Sequence, residues 1–129
     1  MTEEGPAGAN GGFAGKRILV VEDEMIVAML IEDILTDMGA TVIGPAARVS
    51  RAIELLGAES VDAALLDVNL AGEMTTPVAE ELRRRGIPFA FATGYGAAGV
   101  PAGFAGQPLL QKPFQERDLG QVMAQVLAA

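Results

Sequence analysis

The sequence predicts an α/β domain built on a doubly wound, five-stranded parallel sheet. Three observations carry that expectation. Short apolar runs of strand length recur along the chain, and several are apolar throughout, as suits strands covered by helices on both faces. Between them, apolar residues return at helical spacing. Glycine or proline closes most of these segments, as punctuation between elements should. With 129 residues, the chain has room for one such domain and not for two.

Residues 1–15 are rich in Gly, Ala and Glu without periodicity, which predicts a disordered tail before a domain spanning 16–129. Arg17-Ile18-Leu19-Val20-Val21 reads as the first strand. A helix follows, with Val27, Leu30, Ile34 and Met38 on its apolar face and Gly39 as its stop. Thr41-Val42-Ile43 forms a second strand, ended by Gly44-Pro45. The next helix carries Val49, Ile53 and Leu56 on one face. Val61 to Leu66 reads as the third strand, Pro77 to Arg85 as a helix closed by Gly86, and Phe89 to Thr93 as the fourth strand. Leu109 to Lys112 is the fifth, and Leu119, Val122 and Val126 mark the last helix. One crossover breaks the rhythm. Residues 94–106 hold five glycines and a proline, so the fourth helix should be short, frayed or absent and the segment mobile.

Composition narrows the chemistry. The net charge is −8, and Arg83-Arg84-Arg85 is the one notable basic cluster. A duplex-binding surface needs a basic face to displace counterions, so no nucleic-acid partner is expected. Cysteine and histidine are absent, which removes thiol chemistry, the usual zinc ligands and the usual general base. The two serines, Ser50 and Ser60, sit in no nucleophile elbow. No signal peptide or membrane-length apolar run stands out, so a cytoplasmic protein without a membrane partner is expected.

Ligands of open parallel sheets bind outside the carboxyl ends of the strands. Here the first strand ends in Glu22-Asp23-Glu24, the third in Asp67, the fourth in Thr93 and the fifth in Lys112. Taken singly, each has an ordinary explanation: the acidic run as helix N-terminal charge with Asp23 as cap, Asp67 as a turn residue, Lys112 as a solvated charge. Their coincidence at four strand ends is much harder to explain that way. Crowded carboxylates repel unless a cation joins them, and an all-oxygen donor set suits a hard ion such as Mg2+. An aspartate nucleophile beside a metal, a hydroxyl and an ammonium suits phosphoryl transfer, with Asp67 as acceptor and Thr93 and Lys112 on phosphoryl oxygens.

Ile18-Leu19-Val20-Val21-Glu22-Asp23-Glu24, Leu65-Leu66-Asp67-Val68-Asn69-Leu70, Phe91-Ala92-Thr93-Gly94 and Gln111-Lys112-Pro113-Phe114 resemble, in order and spacing, the signature of bacterial response-regulator receiver domains. The resemblance spans residues 16–129 and implies a flavodoxin/CheY-like fold with strand order 2-1-3-4-5. It further implies that Asp67 is the phospho-acceptor, Asp23 a direct Mg2+ ligand, Glu22 a ligand through water, and Asn69 a ligand through its backbone carbonyl. Lys112 would precede a cis peptide at Pro113. The run from Ile87 to Gly96 is similar to the single-domain FATGUY regulators of alphaproteobacteria. That likeness implies a histidine kinase or histidine phosphotransfer protein as phosphoryl donor, often in stress signalling, and a downstream protein partner or a phosphate-sink role. One departure is Leu109, three before Lys112, where ordinary receivers often carry an aromatic residue. Tyr95 and Phe104 are the candidate substitutes, and ordering of residues 94–106 is the switch this implies.

Two decoys fail their context tests. Gly94-Tyr95-Gly96-Ala97-Ala98-Gly99 matches a dinucleotide pattern, but Pro101 and Gly103 spoil the helix that must receive the pyrophosphate. Gly15-Lys16 precedes a strand, where a phosphate loop would follow one. A haloacid-dehalogenase-like phosphatase would need Asp-x-Asp, whereas Asp67-Val68-Asn69 stands here. A degenerate receiver acting only as a binding module is the remaining rival, and the intact Asp67, Thr93 and Lys112 set argues against it.

Overall fold

The central strands are buried almost throughout, as strands covered on both faces are. The computed structural model describes residues 12–128, with elements β1 (Arg17–Val21), α1 (Met25–Asp37), β2 (Thr41–Ala46), α2 (Val49–Ala58) and β3 (Ala63–Asp67) in its first half. A small hairpin of β4 (Asn69–Leu70) and β5 (Glu73–Met74) follows, then α3 (Thr76–Arg85), β6 (Phe89–Thr93), a 3-10 turn (Gly96–Gly99), β7 (Leu109–Gln111) and α4 (Glu116–Leu127). The main sheet runs β2-β1-β3-β6-β7, all parallel. That is the expected order. Successive strand residues face opposite sides, so Leu19, Val21, Leu66 and Phe91 pack with α2 and α3. Ile18, Val20, Leu65 and Ala92 pack on the other face with α1 and α4.

The helix faces differ from expectation. In α1 the buried residues are Ala28, Ile31, Ile34 and Leu35, while Leu30 is exposed and Val27 and Met38 are only half-buried. Met25, Ile26 and Met29 are exposed as well, at 75%, 83% and 55%. The helix carries more apolar residues than its core contact uses, which blurs the periodicity. Glu24, not Asp23, occupies the N-cap, and it makes no side-chain cap bond. In α2, Ala52, Leu55 and Leu56 are buried and Ile53 is at the surface. In α4, Met123 joins Leu119 and Val126, with Val122 partly buried.

Residues just before Lys16 pack on the domain. Residues 12–15 form a turn, Phe13 is buried against Ile18 and the α1/α4 face, and Gly15 N–H donates to the Gly39 carbonyl at 3.2 Å. The expected tail lies otherwise (1–11) outside the described residues.

Where the fourth helix was expected to be short or absent, a single 3-10 turn stands. The rest of the segment is anchored. Phe104 is buried between Phe89 and Phe91, edge-on to Phe91 at 5.9 Å between ring centres. Arg83 lies over the Phe104 ring at 4.0 Å and donates to the Gly103 carbonyl at 2.8 Å. The other two members of the arginine run bind Glu81, whose carboxyl the hydrogen bonds from Arg84 and then Arg85 hold down to about 2.

Candidate functional site

Parallel pairing carries the four strand ends to one edge of the sheet. Val21 pairs with Leu66, so Glu22 and Asp67 emerge side by side; Asp67 pairs with Ala92, so Thr93 is the next residue out. Thr93 in turn pairs with Gln111, and Lys112 N–H donates to the Thr93 carbonyl at 2.9 Å. Four positions 90 residues apart at their extremes thus meet because Asp67 and Thr93 are the last residues of their strands and Glu22 and Lys112 the first residues after theirs. An open cavity of about 550 Å3 lies there, with Asp67, Asn69, Thr93, Gly94, Tyr95 and Lys112 among its walls.

Lys112 is the electrostatic centre. Its Nζ donates to Glu22 Oε1 at 2.8 Å and to Asp67 Oδ2 at 3.0 Å. The peptide between Lys112 and Pro113 is cis, as the resemblance implied, and a second cis bond joins Gly44 to Pro45. Desolvation pulls the Lys112 ammonium down, yet the hydrogen bonds to Glu22 and Asp67 outweigh it and leave the pKa raised. Glu22 is buried, and that burial raises its carboxyl above the ordinary value; hydrogen bonds from Lys112 and from Glu24 N–H offset the rise only in part. Burial thus prevails at Glu22, whereas at Lys112 the two carboxylates prevail over burial.

The acidic cluster fits a hard cation. Glu22, Asp23 and Asp67 each offer a carboxylate oxygen within 4.8 Å of the others, and oxygen ligands at that crowding are what a small divalent ion requires. Asn69 lines the same cavity; its side chain accepts from Gly72 N–H at 2.6 Å, tying down the hairpin turn. The hydroxyl of Thr93 is buried and accepts from Tyr95 N–H at 3.0 Å. A hydroxyl also has a hydrogen to give, and that of Thr93 has no acceptor among the described residues.

Of the two aromatic candidates for a switch, Tyr95 is 83% exposed and Phe104 is buried in the core. Leu109 is half-buried against the Phe91 side of the sheet. Two residues of the site escaped the sequence reading. Gly99 brings the 3-10 turn so close to Thr93 that a Cβ there would stand 2.7 Å from Thr93 Oγ1, and its place in a run of five glycines hid it. Thr75 is fully buried behind Asp67, and nothing in Thr75-Thr76-Pro77 distinguishes it from an ordinary helix start.

Comparison with known proteins agrees with this geometry. Residues 18–124 match the response regulator receiver domain family. The transcriptional regulatory protein TcrA of Mycobacterium tuberculosis (strain H37Rv) is 36% identical over 122 residues, covering 89% of this chain; the chain spans 47% of that protein's length. The solution structure of SdrG from Sphingomonas melonis Fr1 is 42% identical with a TM-score of 0.78, covering 88% of this chain and 97% of SdrG. The receiver domain of PhyR from Erythrobacter litoralis is 29% identical with a TM-score of 0.80, covering 92% and 94% of the two chains.

Proposed function

The chain belongs to the response regulator receiver domain family, and from that premise we propose that Asp67 accepts a phosphoryl group from a histidine-bearing donor protein. The observation that carries this is the Lys112 ammonium held 3.0 Å from the Asp67 carboxylate, at the edge where Glu22 and Asp23 converge. A carboxylate oxygen of Asp67 attacks phosphorus, and the bond from phosphorus to the donor imidazole nitrogen breaks. The imidazole leaves with the electron pair, and a new phosphorus–oxygen bond forms at Asp67. Lys112 sits where it pairs with an incoming phosphoryl oxygen, and the unshared hydrogen of the Thr93 hydroxyl serves another. Glu22, Asp23, Asp67 and the Asn69 carbonyl would hold Mg2+, which when bound supplies positive charge against the phosphoryl oxygens.

These 129 residues contain no histidine, so the phosphoryl donor lies outside them. Helix α1 exposes Met25, Ile26, Met29 and Leu30, and its Val27 and Leu30 join Glu24, Gly94, Pro113 and Phe114 in a groove that reaches Lys112. This surface suits the helix of a donor protein better than a small polar phosphate. Replacing Met29 by Glu is expected to slow transfer from a phosphohistidine protein by about tenfold, as loss of an apolar contact anchor does. Uptake from acetyl phosphate should be unchanged. Equal slowing with both donors would count against a docking role for α1. Output then runs through the 96–106 segment, which Gly99 seats on Thr93 and Phe104 pins to the core; a partner protein or a competing receiver reads that surface.

The raised pKa of Glu22 has a pH consequence. Because the folded value lies above the ordinary 4.5, the stabilising contribution of this group is complete below the unfolded value. It is lost as pH rises through the folded one. Mg2+ needs the ionised carboxylate, so metal and proton compete. At about ten times its dissociation constant Mg2+ adds about 1.4 kcal/mol of stability, a rise of roughly 5 °C in melting midpoint for a domain this size. That rise should appear near pH 7.5 and be smaller at pH 5, since protonation of Glu22 sets in at a higher pH than for an ordinary carboxylate. A rise of the same size at both, measured by calorimetry, would contradict the site.

A further inference from the structure

Thr75 stands just past the β4–β5 hairpin, at the entrance of α3, and has no exposed surface. A threonine there ordinarily caps the helix with its side chain. This one makes no side-chain cap bond. Its hydroxyl points back to the phospho-acceptor strand instead, donating to the Asp67 carbonyl at 2.7 Å with the Val68 carbonyl at 3.1 Å. Its own N–H donates to the Val68 carbonyl at 3.0 Å, and its carbonyl accepts from Val78 and Ala79, the first turn of α3.

Resting on the assignment of Asp67 as phospho-acceptor, we infer that Thr75 is a positioning residue for that reaction. The last ladder bond of this strand runs from Val68 N–H to the Ala92 carbonyl at 3.1 Å; beyond it the chain leaves the sheet for the hairpin. The carbonyls of Asp67 and Val68 lie at that departure point. A buried carbonyl without a donor is costly and draws the backbone toward water. The Thr75 hydroxyl removes that pull and ties residues 67–68 to the rigid start of α3. The Asp67 carboxylate is thereby held against Lys112, and Asn69 is held at the cavity wall. Since Thr75 reaches neither the carboxylate oxygens nor the cavity, its effect passes through the backbone.

The test compares Thr75→Val, which keeps the shape and removes the hydroxyl, with Thr75→Ser, which keeps the hydroxyl. Labelling by acetyl phosphate with Mg2+ is followed by intact mass and normalised to the folded fraction from circular dichroism. A displacement of about 1 Å at a reacting group costs about a hundredfold, so Thr75→Val should label ten- to a hundredfold more slowly. The serine variant should stay within about threefold of wild type, since the carbonyl tie is intact. If the valine protein does not fold, Thr75→Ala takes its place: serine and alanine both lose the methyl group, and only serine keeps the donor. A valine or alanine protein that melts lower yet labels like the serine protein would overturn the inference, leaving Thr75 a stability residue. Absence of label on the wild type would instead overturn the phospho-acceptor assignment, and the role of Thr75 with it.

Discussion

Asp67→Asn should take up phosphoryl groups at least about a thousandfold more slowly than the wild type, because an amide is no substitute for the carboxylate nucleophile. The same variant should fold at least as stably as the wild type when no divalent ion is present. Lys112 keeps its 2.8 Å bond to Glu22, and the replacement removes a neighbouring negative charge that now helps push Glu22 upward. Loss of labelling with stability retained would separate a chemical role from a structural one. The stabilisation by Mg2+ should fall as well, since one of three converging carboxylates is gone. Radiolabel uptake, urea unfolding and a Mg2+ titration on one preparation read all three effects. Labelling at the wild-type rate would move the acceptor elsewhere.

Phe104→Ala is expected to destabilise the domain by about 3–4 kcal/mol, the usual cost of deleting a buried aromatic ring. That is a large share of a total stability of about 5–15 kcal/mol. The ring touches Phe89 and Phe91 and lies under the Arg83 guanidinium, so its removal leaves a cavity and strips the segment 96–106 of its main anchor. Limited proteolysis should then cut within that segment at concentrations that spare the wild type. Uptake at Asp67 should persist in the folded fraction, because Phe104 lies outside the phosphoryl cavity. Phe104→Leu should recover most of the stability. A loss below about 1 kcal/mol on urea unfolding of Phe104→Ala would show that the segment is held by something other than this ring.

The same segment shows what the sequence disclosed and what it hid. Its five glycines correctly predicted that no regular fourth helix forms, since glycine carries the greatest entropic cost there. They did not reveal that one aromatic residue among them is in the core, because a single anchor has no period. Phe13 was missed for the same reason. Asp67, Thr93 and Lys112 were legible because each closes a strand, where an abrupt polar residue stands out; parallel pairing then does the assembling. The faces of α1 were misread because Met25, Ile26, Met29 and Leu30 add exposed apolar residues to the buried set, and spacing alone cannot separate a core face from an exposed apolar one. Thr75 was hidden because its role depends on a hairpin of two-residue strands too short to carry any pattern.

The most direct measurement is to expose the wild-type protein to acetyl phosphate and Mg2+, reduce it with borohydride, and map the product by peptide mass spectrometry. Borohydride converts an aspartyl phosphate to homoserine and leaves free aspartate untouched. The expected result is homoserine at position 67 alone, dependent on Mg2+. Homoserine at another aspartate, or none under conditions that label a control receiver domain in parallel, would contradict the assignment of Asp67 as the acceptor.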